Sequence, residues 1–237
     1  IEYNGGTGGD DSLLITDTSG RTYGSFTHSA TNANDGSVII DTLTIAYTGL
    51  EPIIDNVVAA NRFFDFTGNV DAITVTDDGA TITIDSPFSE SYTFTRPTNS
   101  LTILGDADDT VTVTNATTLA ADVSITAGTF EIAGGASLDL STATTPVAAI
   151  IANRVLIDGA LNTGAAGNIN FTPLTTGNVQ RFLLGSGADP VDDTVRISAA
   201  EISRLTAGLI TVGDSNTGAI TVDADIVLPA DLTLVTP

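Results

Sequence analysis

The sequence has no cysteine, methionine, tryptophan or lysine, and its seven basic residues are all arginine. Without cysteine there is neither a disulfide framework nor thiol chemistry. Without lysine, Gly-rich stretches such as 164–167 cannot be nucleotide loops, which need a following Lys and a helix. Positive charge is scarce. Against the arginines stand 29 acids, which leaves −22 on a chain only 15% charged. Such a field repels nucleic acid and anionic membranes, and leaves cations, polar glycans or further protein as partners. Long apolar runs are missing too. The longest, Val147 to Ile151, falls far short of the ~20 residues that cross a bilayer, so no membrane insertion by this segment is expected. A chain that starts at Ile1 is expected to be a window on a longer secreted product.

What is present is aliphatic alternation. Leu43, Ile45 and Tyr47, then Ile73 and Val75, Ile82 and Ile84, Tyr92 and Phe94, Leu101 and Ile103, Val111 and Val113, and Val123 and Ile125 are interleaved with Thr, Ser or Asp. The pattern continues to Leu232 and Leu234, and period two predicts half-buried strands throughout. Runs begin about ten residues apart and are divided by turn formers such as Asp77-Asp78-Gly79 and Asn216-Thr217-Gly218. This spacing suits a sandwich, a barrel or a solenoid. Regularity without long loops, and strands too short and numerous for one closed barrel, favour the solenoid. The predicted fold is all-β, a right-handed parallel β-helix.

Most of the aromatics and the single His lie before residue 100, so the chain divides into an aromatic-richer β unit, 1–99, and regular coils, 100–237. Two stretches carry weak helical signals. One is Ile53 to Asn61. The other is Ala199 to Leu205, behind Ser198 as a cap.

Gly6-Thr-Gly-Gly-Asp-Asp-Ser-Leu13 and Leu104-Gly-Asp-Ala-Asp-Asp-Thr-Val111 resemble the hemolysin-type nonapeptide, whose aspartates hold Ca²⁺ between successive coils. The resemblance implies Asp10, Asp11, Asp106, Asp108 and Asp109 as Ca²⁺ ligands, against a reading of the same residues as acidic solvated corners. Each copy stands alone, and Thr7 and Ala107 replace the family's Gly. The stretches 127–140 and 197–222 are similar to repeats of filamentous haemagglutinin-like adhesins. Those are large bacterial surface proteins built as parallel β-helices. Residues 36–113 look like a unit of other large repetitive exoproteins. These likenesses imply a structural or adhesive rod on the outer cell surface, joined to flanking repeats or further copies of itself and with no resident cofactor. The alternative is a β-helix that binds or cleaves polysaccharide, with Phe63, Phe64 and Phe66 lining a groove, although alternation buries at least two of them.

Catalytic constellations are sparse. The adjacent acids Asp10-Asp11, Asp77-Asp78, Asp108-Asp109 and Asp192-Asp193 lie beside turns, and strand neighbours point to opposite faces, so a sequence pair is not a spatial pair. His28 has no recognisable partner and reads as a surface residue. Gly185-Ser-Gly187 is too short for a nucleophile elbow. Arg62, Arg96 and Arg154 read as partners for nearby acids, and Asn115-Ala-Thr117 matches a glycan acceptor tripeptide. No catalytic residue is assigned.

Overall fold

The computed structural model describes residues 1–6, 11–174, 181–185 and 194–237. The first ten strands are β1 (Glu2–Asn4), β2 (Leu13–Ile15), β3 (Thr22–Asn32), β4 (Asp35–Ile40), β5 (Leu43–Thr48), β6 (Ile53–Asp55), β7 (Val58–Asp65), β8 (Ala72–Asp77), β9 (Thr81–Ser86) and β10 (Ser89–Thr95). There follow β11 (Ser100–Leu104), β12 (Thr110–Val113), β13 (Ala116–Thr118), β14 (Asp122–Ile132), β15 (Ser137–Asp139), β16 (Val147–Ile157), β17 (Ala160–Asn162) and β18 (Asn168–Thr172). The chain ends with β19 (Arg181–Gly185), β20 (Thr194–Ser198), α1 (Ala199–Ile202), β21 (Leu205–Thr206), β22 (Leu209–Val212), β23 (Ile220–Val222) and β24 (Asp231–Leu234). The molecule is all-β and rich in parallel pairing, and among the described residues none of the three sheets closes on itself.

Up to residue 95, parallel pairs are interrupted by two antiparallel meanders, β3-β4-β5 and β8-β9-β10. From β11 onward every pair among the described residues is parallel. Ser100 lies beside Asp122, Val123 beside Ala148 and Val147 beside Asn168, so the chain regains the same sheet position after 22, 25 and 21 residues. The next return, Asn168 to Leu209, takes 41 because β19, β20 and α1 are inserted.

Two inward columns run through both regions. Phe26, Arg62, Leu101, Val123, Ala148, Ile169 and Ile210 form one, while His28, Phe64, Ile103, Ile125, Ile150, Phe171 and Val212 form the other. All fourteen side chains are buried, as the period-two pattern demands. At the strand margin the columns are bordered by a polar ladder. Asn61 donates to the Gly24 carbonyl (2.8 Å), Asn99 donates to Asn61 Oδ1 (2.6 Å), and the Val147 amide donates to Asp122 Oδ1 (2.9 Å).

Helix over 53–61 does not form: these residues enter β6 and β7, because inward Ile53, Asp55, Ala59 and Arg62 meet their partners only in extended chain. The second helical signal holds in part: α1 covers only Ala199–Ile202, and Leu205 opens β21. Ser198 caps α1 reciprocally with Glu201, the Ser hydroxyl accepting from the Glu201 amide while the Glu201 carboxylate accepts from the Ser198 amide.

Candidate functional site

The proposed Ca²⁺ corners are held by backbone. Gly105 turns the chain between β11 and β12, where an added Cβ would collide with the Asp109 carboxylate. Asp109 is 1% exposed. Its Oδ1 accepts from the Asp71 amide (2.8 Å) and its Oδ2 from the Asp106 amide, so both oxygens are engaged by N–H donors. Asp106 Oδ2 accepts from the Gly68 amide (2.7 Å), and Asp108 is exposed. Asp11 bonds through its carbonyl to the Glu51 amide (2.8 Å), while Asp10 lies outside the described residues. No hydrogen bond joins the Asp11 and Asp106–Asp109 corners, and no three acidic or histidine side chains converge among the described residues.

Not all the acidic corners are solvated. Asp109 is buried, and so is Asp77, which receives Arg96 (2.5 Å), the Gly79 amide (2.7 Å) and the Thr118 amide (3.0 Å). These donors hold the Asp77 carboxyl below its usual range against the opposing effect of burial. Asp78 is exposed and caps the turn at Ala80 and Thr81. The pair Asp192-Asp193 lies outside the described residues, as do Ser186 and Gly187. The Asn115 side chain is bonded across to Asp77 on both its oxygen (2.9 Å) and its nitrogen (2.6 Å), a structural use of the tripeptide asparagine.

The largest concentration of buried polar groups lies between the two meanders. Arg62 and Asp55 form a fully buried ion pair. The guanidinium also donates to the Val57 carbonyl (2.8 Å) and to Thr95 Oγ1 (3.2 Å), and lies 4.8 Å from the Phe26 ring centroid and 4.9 Å from that of Phe94. Burial raises the Asp55 carboxyl, opposed by the charge of Arg62. His28 is fully buried, contrary to the surface reading: alternation in β3 puts it inward, beside Phe64 and Tyr92 (centroids 5.9 and 4.9 Å). Its Nε2 bonds the Tyr47 hydroxyl (2.8 Å), Nδ1 has no partner, and burial pushes its pKa down to about 3. Glu90 is 1% exposed with both carboxylate oxygens unpartnered. Burial, then Glu51 and Asp35, push it up to about 8, so it carries its proton at neutral pH.

Beside Glu90 the surface opens into a groove of about 680 Å³, whose lining includes Glu51, Thr74, Asp85, Ser86, Ser89 and Ser91. Pro52, Ala72 and Pro87 supply apolar wall, and Phe88, 47% exposed, stands between two lining residues in sequence. Of the aromatics expected to line a groove, Phe64 and Phe66 are buried and Phe63 is half-buried. The groove residues were missed because Ser, Thr and isolated acids at strand ends look like ordinary turns; the nearest signal is Pro87-Phe88, a large aromatic at a turn. In comparison with known proteins, no family model matches the chain, and no curated protein or solved structure matches it.

Proposed function

We propose that this chain is a β-solenoid segment of an extracellular or cell-surface rod, a non-catalytic spacer that joins flanking repeats of its parent or further copies of itself. The observation that carries the reading is the unbroken register of the two inward columns, from Phe26 to Ile210 and from His28 to Val212. In a solenoid each turn buries its apolar face only against the next, so stacking alone supplies the core. Support also comes from the passage of the chain between sheets: β13, β15, β17 and β21 pair in their own parallel sheet, one step per return. Among the described residues the last strand, β24, is hydrogen-bonded on one side only, and Leu234 within it is exposed, as Val222, Val227 and Leu228 are in the segment before it, as an edge able to receive another strand would be. A passive role fits the acids, since Asp55, Asp77 and Asp109 are spent on arginine or backbone.

The reading is tested by duplicating residues 123–147, one full return. In a rod each added coil lengthens the particle by ~4.8 Å, so solution scattering should show greater length at constant cross-section. An isotropic increase, or loss of folding, would count against the solenoid.

A further inference from the structure

The small sheet β13-β15-β17-β21 begins at an edge that no strand covers: among the described residues β13 pairs with β15 alone. The Asn115 carbonyl accepts from the Ser137 amide (3.3 Å) and the Leu119 amide donates to the Asp139 carbonyl (2.9 Å), so these alternate residues face β15. Thr118, one residue out of phase, turns its N–H and C=O to the uncovered side. An unpaired N–H and C=O on a strand edge is a template for another chain, and edges are usually blunted by charge or proline in the strand itself. The stretch Asn115-Ala-Thr-Thr-Leu119 has neither.

Two side chains from the second meander take the place of the missing strand. Asp77 Oδ2 accepts from the Thr118 amide (3.0 Å), and Arg96 Nε donates to the Thr118 carbonyl (2.9 Å). An acceptor and a donor thus stand where a neighbouring backbone would present its C=O and N–H. Both are anchored. Arg96 Nη2 donates to Asp77 Oδ1 (2.5 Å), and its Nη1 donates to the Gly79 and Ala80 carbonyls (3.0 and 2.9 Å). Asp77 is fixed from behind by Asn115, whose side chain bonds both its amide and its carbonyl. Asn115 therefore does for Asp77 what Asp77 and Arg96 do for Thr118. We propose that Asp77 and Arg96 form an edge guard, an autoinhibitory contact that denies β13 to a strand of a second copy of this chain. The guard concerns one edge of one sheet and stands apart from the rod reading.

The test is amide hydrogen exchange at Thr118, read by NMR on the full chain when dilute and when concentrated, with sedimentation alongside. High NaCl screens the −22 charge that would otherwise keep copies apart. In the wild type Thr118 should exchange slowly at both concentrations. In Asp77→Ala it should exchange roughly tenfold faster or more when dilute, and slow again when concentrated, as oligomers form and a second copy's strand covers it. Asp77→Asn keeps an acceptor oxygen for the Thr118 amide and should behave as the wild type does. Val111, in the ladder of β12, should exchange alike in all three, which separates an opened edge from a lost fold. If Asp77→Ala does not fold, Arg96→Ala decides, since it bares the Thr118 carbonyl from a partly exposed position: it should form oligomers in which Thr118 is slower than in the monomer. Wild-type exchange at Thr118 in the deciding variant, fast exchange there at both concentrations, or Asp77→Asn behaving as Asp77→Ala would overturn the guard. Oligomers that leave Thr118 exchange unchanged join through another edge, which also overturns the guard but leaves the rod reading intact.

Discussion

Residues 22–95 and residues 100–174 fill the same two inward columns with different chemistry. In the first region the columns hold Phe26, Arg62, His28 and Phe64, with Asp55, Tyr92 and Glu90 packed among them; in the second they hold only Leu, Val, Ala, Ile and Phe. The first returns to register after 36 to 39 residues because each return carries an antiparallel excursion, and the second after 19 to 25. Parallel stacking therefore tolerates a polar interior provided the charges are paired within it, as Arg62 is with Asp55. The polar interior makes the first region conditional on pairing and on pH, whereas the second depends on volume alone.

Removing one partner of the buried pair sharpens this contrast most. Arg62→Met leaves Asp55 buried without its countercharge and should cost about 3–5 kcal/mol in denaturant unfolding. Adding Asp55→Leu should restore much of the loss, because the desolvated charge is then gone. If the double variant is no more stable than the single, the pair is not what holds that layer together.

The second region should answer to cavity size instead. Ile150→Ala removes a fully buried side chain stacked between Ile125 and Phe171, and should cost about 2–4 kcal/mol, independent of pH between 5 and 8. All four tyrosines lie before residue 100 and there is no tryptophan, so tyrosine fluorescence reports the first region alone. Set beside backbone circular dichroism, it reveals whether the two regions unfold together.

The pH response should belong to the first region. Glu90 has its pKa raised from 4.5 to about 8, so its contribution to stability is complete below pH 4.5 and is lost as pH rises to 8. His28 has its pKa lowered from 6.5 to about 3, so its contribution is present above pH 6.5 and is lost as pH falls toward 3. Stability should therefore peak between roughly pH 4.5 and 6.5. Glu90→Gln should flatten the alkaline side of a Tm profile, and His28→Phe the acid side. Asp35, Glu51 and Tyr47 are the ionisable groups that interact with Glu90, so an alkaline slope that survives Glu90→Gln would point to them.

These effects were only partly legible in the sequence. Alternation located the strands of both regions and most of the core, because inward Val, Ile and Leu with outward Thr is a local property. Strand direction was not legible: Ile82-Thr-Ile84 in an antiparallel meander alternates as Leu101-Thr-Ile103 does in a parallel stack. The pairing of Arg62 with a nearby acid was legible, but its burial was not, and His28 hid for a related reason, since a charged or titratable residue in an alternating run reads as outward. The partner of Arg62 lies seven residues earlier, across a turn, and that of His28 two strands away. The adjacent acids were misleading because one member of each described pair near Gly79 and Gly105 is buried by backbone amides, contacts that no residue pattern encodes.

The smallest expected effect is that of divalent cations, and it tests whether the charge of the molecule is organised or diffuse. Fourteen of the 29 acids precede residue 100 and the rest follow, so a diffuse field acts alike on both regions. Ca²⁺ and Mg²⁺ should each raise Tm modestly and equally, and NaCl should reproduce the rise by screening. At the corner most like a Ca²⁺ site, an ion would have to displace the Asp71 and Asp106 amides from Asp109 and the Gly68 amide from Asp106. Freeing the buried Asp71 amide alone costs about 1–3 kcal/mol, which opposes binding there. A built site would behave differently: Ca²⁺ accepts flexible oxygen cages that Mg²⁺ does not, so its effect would exceed that of Mg²⁺ and survive high salt. Melts in matched Ca²⁺, Mg²⁺ and chelator series, with and without high NaCl, separate the two cases. A Ca²⁺-specific rise that persists in NaCl and disappears in Asp109→Asn would show that the corner rearranges to take the ion, and would give the boundary between the regions a metal-dependent joint.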